Sequence, residues 1–180
     1  LEGVGAVKWI PFQFVGYGTV TDLTADTLTT SGQVAMTPGG LVGIEINPNI
    51  DQAETYRIVA NTDTTITVDL DGKPALTAVA AVGDTYAGVL RFDGVQFRRG
   101  AYLALGDQLR VGGDLLLADY GVMTHYDATP TYEPRLDVHA DALSIDATSS
   151  INVNGRGYVG GKHGHDGDSG LTLGNVAGST

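Results

Sequence analysis

Leu109-Arg110-Val111-Gly112-Gly113-Asp114 and Leu136-Asp137-Val138-His139-Ala140-Asp141 share the pattern Leu-x-Val-x-x-Asp, and Leu90-Arg91-Phe92 repeats its opening. The three copies start 19 and then 27 residues apart. Recurrence at that spacing points to a stack of similar coils rather than a series of unrelated elements. The eight extra residues of the second interval fit the polar stretch Thr124 to Arg135, where Pro130 and Pro134 mark a loop set into a corner. Short alternating runs lie between and after the copies: Val95/Phe97, Leu103/Leu105, Leu115/Leu117, Leu143/Ile145 and Ile151/Val153. Period-2 alternation broken by Gly, Asp or Asn is the mark of short strands joined by tight corners. Together these features predict an all-β chain built as a parallel β-solenoid (β-helix). Leu90, Phe92, Leu109, Val111, Leu136 and Val138 would stack inside its turns. An antiparallel β-sandwich is the alternative, since its strands recur at similar intervals.

Upstream the pattern changes. Val42/Ile44/Ile46 alternate up to Asn47-Pro48-Asn49, and Tyr56-Arg57-Ile58-Val59 and Ile66-Thr67-Val68-Asp69-Leu70 flank Asn61-Thr62-Asp63 as a β-hairpin would. Leu76, Val79 and Val82 are spaced for one face of a short helix over Ala75 to Val82. The predicted organisation is a first solenoid turn in 1–40, a small inserted β-hairpin module in 41–88, and solenoid turns with a Gly-rich tail in 89–180.

Composition agrees with an all-β fold. Of 180 residues, 17 are Asp and only 4 Glu, Lys is limited to 3, and Gly (26) and Thr (20) are abundant. Glu and Lys populate exposed helix faces, whereas Asp, Gly and Thr favour turns and strands. The net charge of −11 argues against a nucleic acid partner, because phosphates require a basic patch. No apolar run approaches the roughly 20 residues of a membrane-spanning helix, so membrane insertion by that route is not expected. Cysteine is absent, which removes disulfides, thiolate metal sites and a cysteine nucleophile. The chain starts without Met or a leader and ends in Gly174-Asn175-Val176-Ala177, which predicts that it continues into a longer parent chain.

The run Leu143-Ser144-Ile145-Asp146 through Ile151-Asn152-Val153-Asn154-Gly155, with its Gly/His-rich continuation, resembles the glycine-rich β-helical segments of large secreted bacterial surface (adhesin-like) proteins. Tyr56 to Thr62 with Thr64 to Val68 and Gly83-Asp84-Thr85-Tyr86 resembles a short β module of the same proteins. The resemblance implies an extracellular or cell-surface location and a structural, adhesive role as a stiff scaffold presenting loops. It transfers no catalytic residue. A phage or viral fibre segment of the same architecture is an alternative, as is a polysaccharide-degrading β-helix enzyme domain.

Three groups of residues are candidates for chemistry. Tyr120, Tyr126 and Tyr132 lie in or near the Thr124 to Arg135 loop, where their rings would stack on sugar faces and bind cell-surface glycans. His163, His165, Asp166 and Asp168 place four metal-ligating side chains within six residues, the site at which calcium would bind if it binds at all. Neither an EF-hand loop nor a calcium nonapeptide is completed there, because Ala177 holds the position of the bidentate acid and Lys162 that of a glycine. No cofactor is therefore expected to be required. Asp69-Leu70-Asp71-Gly72 reads as a β-turn before a calcium site. Arg91, Arg110, Asp93 and Asp137 fall in or beside the repeat copies, so strand stacking would gather them on one outer face. In a β fold outward positions are polar in any case, and with no Gly-x-Ser-x-Gly nucleophile elbow a non-enzymatic role is the stronger expectation. An uncovered β edge at the end of the stack would favour end-to-end self-association.

Overall fold

The computed structural model describes residues 15–30, 36–128 and 134–157. Tyr17–Leu23 (β1) and Thr27–Thr30 (β2) form a hairpin, with Thr24 N donating to Thr27 O at 2.8 Å across the turn. Glu45–Asn47 (β3) is followed by the hairpin of Tyr56–Asn61 (β4) and Thr65–Asp69 (β5), which lies where the sequence predicted it. Thr85–Phe92 (β6) then pairs with both β3 and β1. The order β1-β2-β5-β4-β3-β6 returns to β1 with every neighbour antiparallel, so six strands close a barrel. Inward residues such as Val20, Leu28, Ile46, Ile58, Ile66 and Tyr86 fill it. In place of the helix predicted over Ala75 to Val82 there is a single 3-10 turn, Leu76–Ala78, whose buried Leu76 packs into the barrel core while its N donates to Ala25 O at 2.7 Å. Eight residues without caps are too few to sustain a helix unless packing demands one.

The remaining strands extend from β6. Val95–Phe97 (β7), Tyr102–Leu105 (β8), Gln108–Leu117 (β9), Val122–His125 (β10), Val138–Ile145 (β11) and Ser150–Ile151 (β12) form two parallel ladders. In one, β9 lies between β6 and β7 on one side and β11 on the other; in the other, β10 lies between β8 and β12. A second core fills the space between them, centred on Phe97, Leu105, Leu109, Leu115, Leu117 and Met123. Among the described residues the outer edges of β11 and β12 have no strand partner.

This architecture corrects the fold expectation. The chain is all-β, but it is an antiparallel six-strand barrel with extra strands, neither a parallel β-solenoid (β-helix) nor a β-sandwich. Tight hairpins at 17–30 and 56–69 can join only antiparallel neighbours, and β6 closes them into a ring. Residues 17–30 supply two strands of that barrel, so 41–88 does not close by itself. The predicted leucine column also fails in its third member. Leu90 lies opposite Leu109, but Val138 rather than Leu136 lies opposite Leu109 on the other side. Phe92, expected inside, is 44% exposed because β6 ends there, beyond the barrel wall.

One edge of β6 serves both regions. Residues 85–87 pair with antiparallel β1, and from Val89 the same edge takes parallel β9. At the changeover sits Asp107, fully buried, whose Oδ1 accepts Gly16 N at 2.6 Å and whose Oδ2 accepts Val15 N at 3.1 Å. Gly88 N, which donates to Gly16 O at 3.3 Å, lies beside this carboxylate and adds its favourable dipole. A side chain at residue 88 would overlap the carboxylate, so the glycine is what admits it. Burial pushes the Asp107 carboxyl up to about 6, against the downward pull of the Gly16, Val15 and Gly88 N–H groups.

Candidate functional site

The changeover also creates a groove. The 47–55 loop leaves β3 and folds against β9 and β11, bordering an open groove of about 420 Å³ lined by Ile50, Asp51, Gln52, Ala53, Arg110 and His139. That volume falls within the range of small-ligand clefts.

Asn47 organises the loop. Its side chain is fully buried; Oδ1 accepts Asn49 N at 3.1 Å and Gln52 Nε2 at 2.6 Å, while Nδ2 donates to Gln52 O at 3.1 Å and Gln108 Oε1 at 3.2 Å. Asn49 repeats the device on Asp51 N at 2.9 Å and ties the loop to the barrel through Asp84 Oδ2 at 2.8 Å. Asn side chains hold such turns because they reach their own backbone two residues on. The groove wall is thus fixed before any ligand arrives.

The opposite wall is formed by Arg110 and His139, which stand in a cross-strand row with Arg91. Arg91 on β6, Arg110 on β9 and His139 on β11 are direct neighbours in register. Like charges placed opposite each other are unfavourable unless anions intervene. Arg91 is compensated: Nε donates to Glu45 Oε1 and Oε2, both at 3.1 Å, and Nη2 to Oε2 at 2.9 Å. Burial alone would raise the Glu45 pKa, but the hydrogen bonds and charge of Arg91, aided by Thr55 and Lys73, hold it below its usual value. Arg110 is compensated less well. Its Nη1 donates to Ala53 O at 2.8 Å and its Nη2 to Gln108 Oε1 at 3.3 Å, both neutral acceptors, while its buried Nε has no hydrogen-bond partner. Burial, together with the charge of Arg91, pulls its pKa down against the opposing pull of Asp137 and Glu45. His139 Nε2 lies 2.9 Å from Asp137 Oδ1, and the other oxygen of Asp137 accepts Gln108 Nε2 at 2.5 Å. An anion entering the groove therefore meets an under-compensated guanidinium beside a carboxylate-oriented imidazole.

The residues singled out from sequence are distributed differently. Tyr120, 66% exposed, sits on the corner between β9 and β10, and half-buried Tyr126 follows the opposite end of β10; neither lines the groove. Tyr132, His163, His165, Asp166 and Asp168 lie outside the described residues. Among the described residues no group of three or more His, Cys, Asp or Glu is placed to hold a metal ion. At Asp69-Leu70-Asp71-Gly72, Asp69 Oδ1 accepts Asp71 N at 3.1 Å and both Asp71 and Gly72 have positive φ, as a turn requires. Arg91, Arg110 and Asp137 do gather on one outer face, joined there by His139. Sequence reading missed Asn47, Asp107 and Gln108, which take partners from distant parts of the chain, and Gln52, whose partners lie within its own loop. Their one local signal is Asn47-Pro48-Asn49, which announces a turn but not what that turn covers.

Among the described residues no helix is long and apolar enough to cross a membrane. Compared with known proteins, the chain matches no family model, no curated protein and no solved structure.

Proposed function

We propose that this chain is a section of a larger extracellular protein that binds acidic polysaccharide in the groove between the 47–55 loop and β9. The observation that carries this reading is Arg110, a cation bonded only to neutral oxygens and facing an open groove in a chain of net charge −11. A carboxylated sugar supplies the missing anion. Asp51 and Gln52 offer partners to its hydroxyls, and Ile50 and Ala53 an apolar wall for its ring C–H groups. The surrounding negative charge disfavours bulk binding of polyanions, which would confine recognition to this groove.

Cleavage of such a polymer is the second reading, and the Asp137–His139 contact favours it. With Nε2–H directed at Asp137, Nδ1 can accept the proton next to a uronate carboxyl that Arg110 neutralises. The electron pair of the broken C–H bond then forms a ring double bond, and the glycosidic oxygen leaves with a proton taken from solvent.

Both readings are tested by incubating the protein with acidic and neutral polysaccharides, following retention on the immobilised polymer and release of unsaturated ends. Selective retention of acidic polymers, weakened about tenfold or more by Arg110→Ala, supports binding. Unsaturated product that His139→Ala abolishes, with retention unchanged, establishes the second reading. Equal retention of neutral polymers, or indifference to Arg110→Ala, removes both.

A further inference from the structure

Gln108 opens β9 behind the groove, off its lining, and is fully buried although it is polar. A primary amide carries an acceptor at one end and donors at the other, and here the two ends meet opposite partners. Oε1 accepts Asn47 Nδ2 at 3.2 Å from the loop wall and Arg110 Nη2 at 3.3 Å from the other wall. Nε2 donates to Asp137 Oδ2. These partners fix the orientation: turned over, the amide would set its N–H groups against two donors and its oxygen against a carboxylate.

Asp137 is the groove's internal competitor for Arg110. Its backbone is anchored beside β9, where its O accepts Leu109 N at 2.9 Å, and its charge acts on the guanidinium. Among the described residues, however, no hydrogen bond or ion pair joins the two side chains. Both carboxylate oxygens are engaged elsewhere, Oδ1 with His139 Nε2 and Oδ2 with Gln108 Nε2. A charge-assisted pair is stronger than a bond to a neutral amide, so the acid and the cation stay apart only while the amide stands between them.

We infer that Gln108 is a positioning residue for the groove: a neutral amide held between Arg110 and Asp137, it keeps the chain's own acid off the cation and leaves that charge for a carboxylated ligand. The inference rests on the reading of the groove as an anion site. Two substitutions at 108 should therefore close the site by different routes. Gln108→Ala releases both side chains to pair with each other, and Asp137→Asn in the same chain undoes the closure. Gln108→Glu sets a carboxylate where Oε1 now accepts Arg110, and Asp137→Asn does not undo that. This second variant keeps the shape of the side chain, so its arm stands even where truncation disturbs the fold.

The parent, Asp137→Asn, both variants at 108 and each of these combined with Asp137→Asn are compared in two measurements. One is retention on immobilised polygalacturonate. The other, made without ligand, is the rate at which phenylglyoxal modifies Arg110, since the reagent needs guanidinium nitrogens that no carboxylate holds; Arg57, exposed on β4, is the internal reference. Each single variant at 108 is expected to weaken retention about tenfold. Modification of Arg110 should slow several-fold beside Arg57. Adding Asp137→Asn should restore both readings in Gln108→Ala and neither in Gln108→Glu, a pattern that a merely structural role for the amide does not produce. Reactivity and retention in Gln108→Ala that ignore Asp137→Asn would overturn the inference while leaving the groove reading intact, as would a Gln108→Glu variant that behaves like the parent. The expected reactivity pattern in a protein that retains no polygalacturonate would remove the groove reading and leave Gln108 as the spacer between acid and cation.

Discussion

The barrel and the strands appended to it bury their apolar residues under different constraints. In the barrel every strand has two neighbours, so Ile58, Ile66 and Leu28 are enclosed by a ring that needs nothing further. In the appended ladders burial falls layer by layer toward the open end: Leu115 and Leu117 are fully buried, whereas Leu143 and Ile145, which continue the same columns, are half exposed. Closure makes a core independent of its surroundings, and an open ladder does not. The difference extends to function, because the groove forms where the two regions meet and draws one wall from a barrel loop and the other from Arg110 of β9 and His139 of β11.

Truncation inside the two regions should give the largest contrast. Ile66→Ala removes a side chain with no exposure from the ring and is expected to cost about 2–5 kcal/mol. Val95→Ala, at a partly buried position packed on the second core, is expected to cost about 1 kcal/mol. Denaturant midpoints at unchanged slope measure both. Equal losses would mean that the two cores behave as one, and the contrast would fail.

Much of this contrast could be read in the residues beforehand, and some of it could not. Alternation at Leu109/Val111 and Leu115/Leu117 marks inward positions because period 2 is a property of a single strand. The 56–69 hairpin is legible for the same local reason. Barrel closure depends on β1 meeting β6 some 70 residues later, and no local pattern encodes that partnership. The three-copy repeat misled at Leu136 because β11 enters the ladder two residues out of the repeat's frame, with Val138 in place of Leu136 opposite Leu109, and the register slip between Ala140 and Ala142 restores only one of them, leaving Ala142 rather than Asp141 opposite Asp114. Arg91, Arg110 and Asp137 could be placed on one face from the repeat, and Glu45, which compensates Arg91 from β3, could not. Asp107 lies in a turn within an apolar stretch and looks like any turn aspartate until Gly16 and Gly88 are brought to it.

The junction between the regions should show in the pH dependence of stability. Asp107 is pushed up to about 6 in the folded chain, from an ordinary 3.8. Between those values the folded state holds a proton that the unfolded state has lost, so the contribution of Asp107 is fully present below about pH 4 and is lost as pH rises through 6. The fall is about 3 kcal/mol. Asp107→Asn should remove that slope from the pH profile of chemical unfolding, at the cost of setting an amide N–H against backbone donors. A profile for Asp107→Asn that overlays the parent would place the titration elsewhere and remove Asp107 as the buried link between barrel and ladder.

The smallest expected effect lies at the open end, where a second aspartate does similar work under opposite conditions. Asp146 Oδ2 accepts Asp119 N at 2.7 Å, and Oδ1 accepts Thr148 N and Oγ1, both at 2.9 Å. These contacts pin the corner where Asp119 and Tyr120 both adopt positive φ, a conformation that costs non-glycine residues. Asp146 is exposed, so the Asp119 N–H dominates, followed by the Ser149 hydroxyl, and the carboxyl is held well below its ordinary range. Its sign is the reverse of that of Asp107: the contribution is present above the unfolded pKa and is lost as pH falls through the folded one. Exposure also limits its reach. Asp146→Ala should therefore leave the global unfolding midpoint nearly unchanged while speeding hydrogen exchange at the Asp119 and Tyr120 amides. A large shift in the global midpoint would instead show that the corner is as tightly coupled to the cores as the barrel wall is, and that the open end is not a separate, weaker layer.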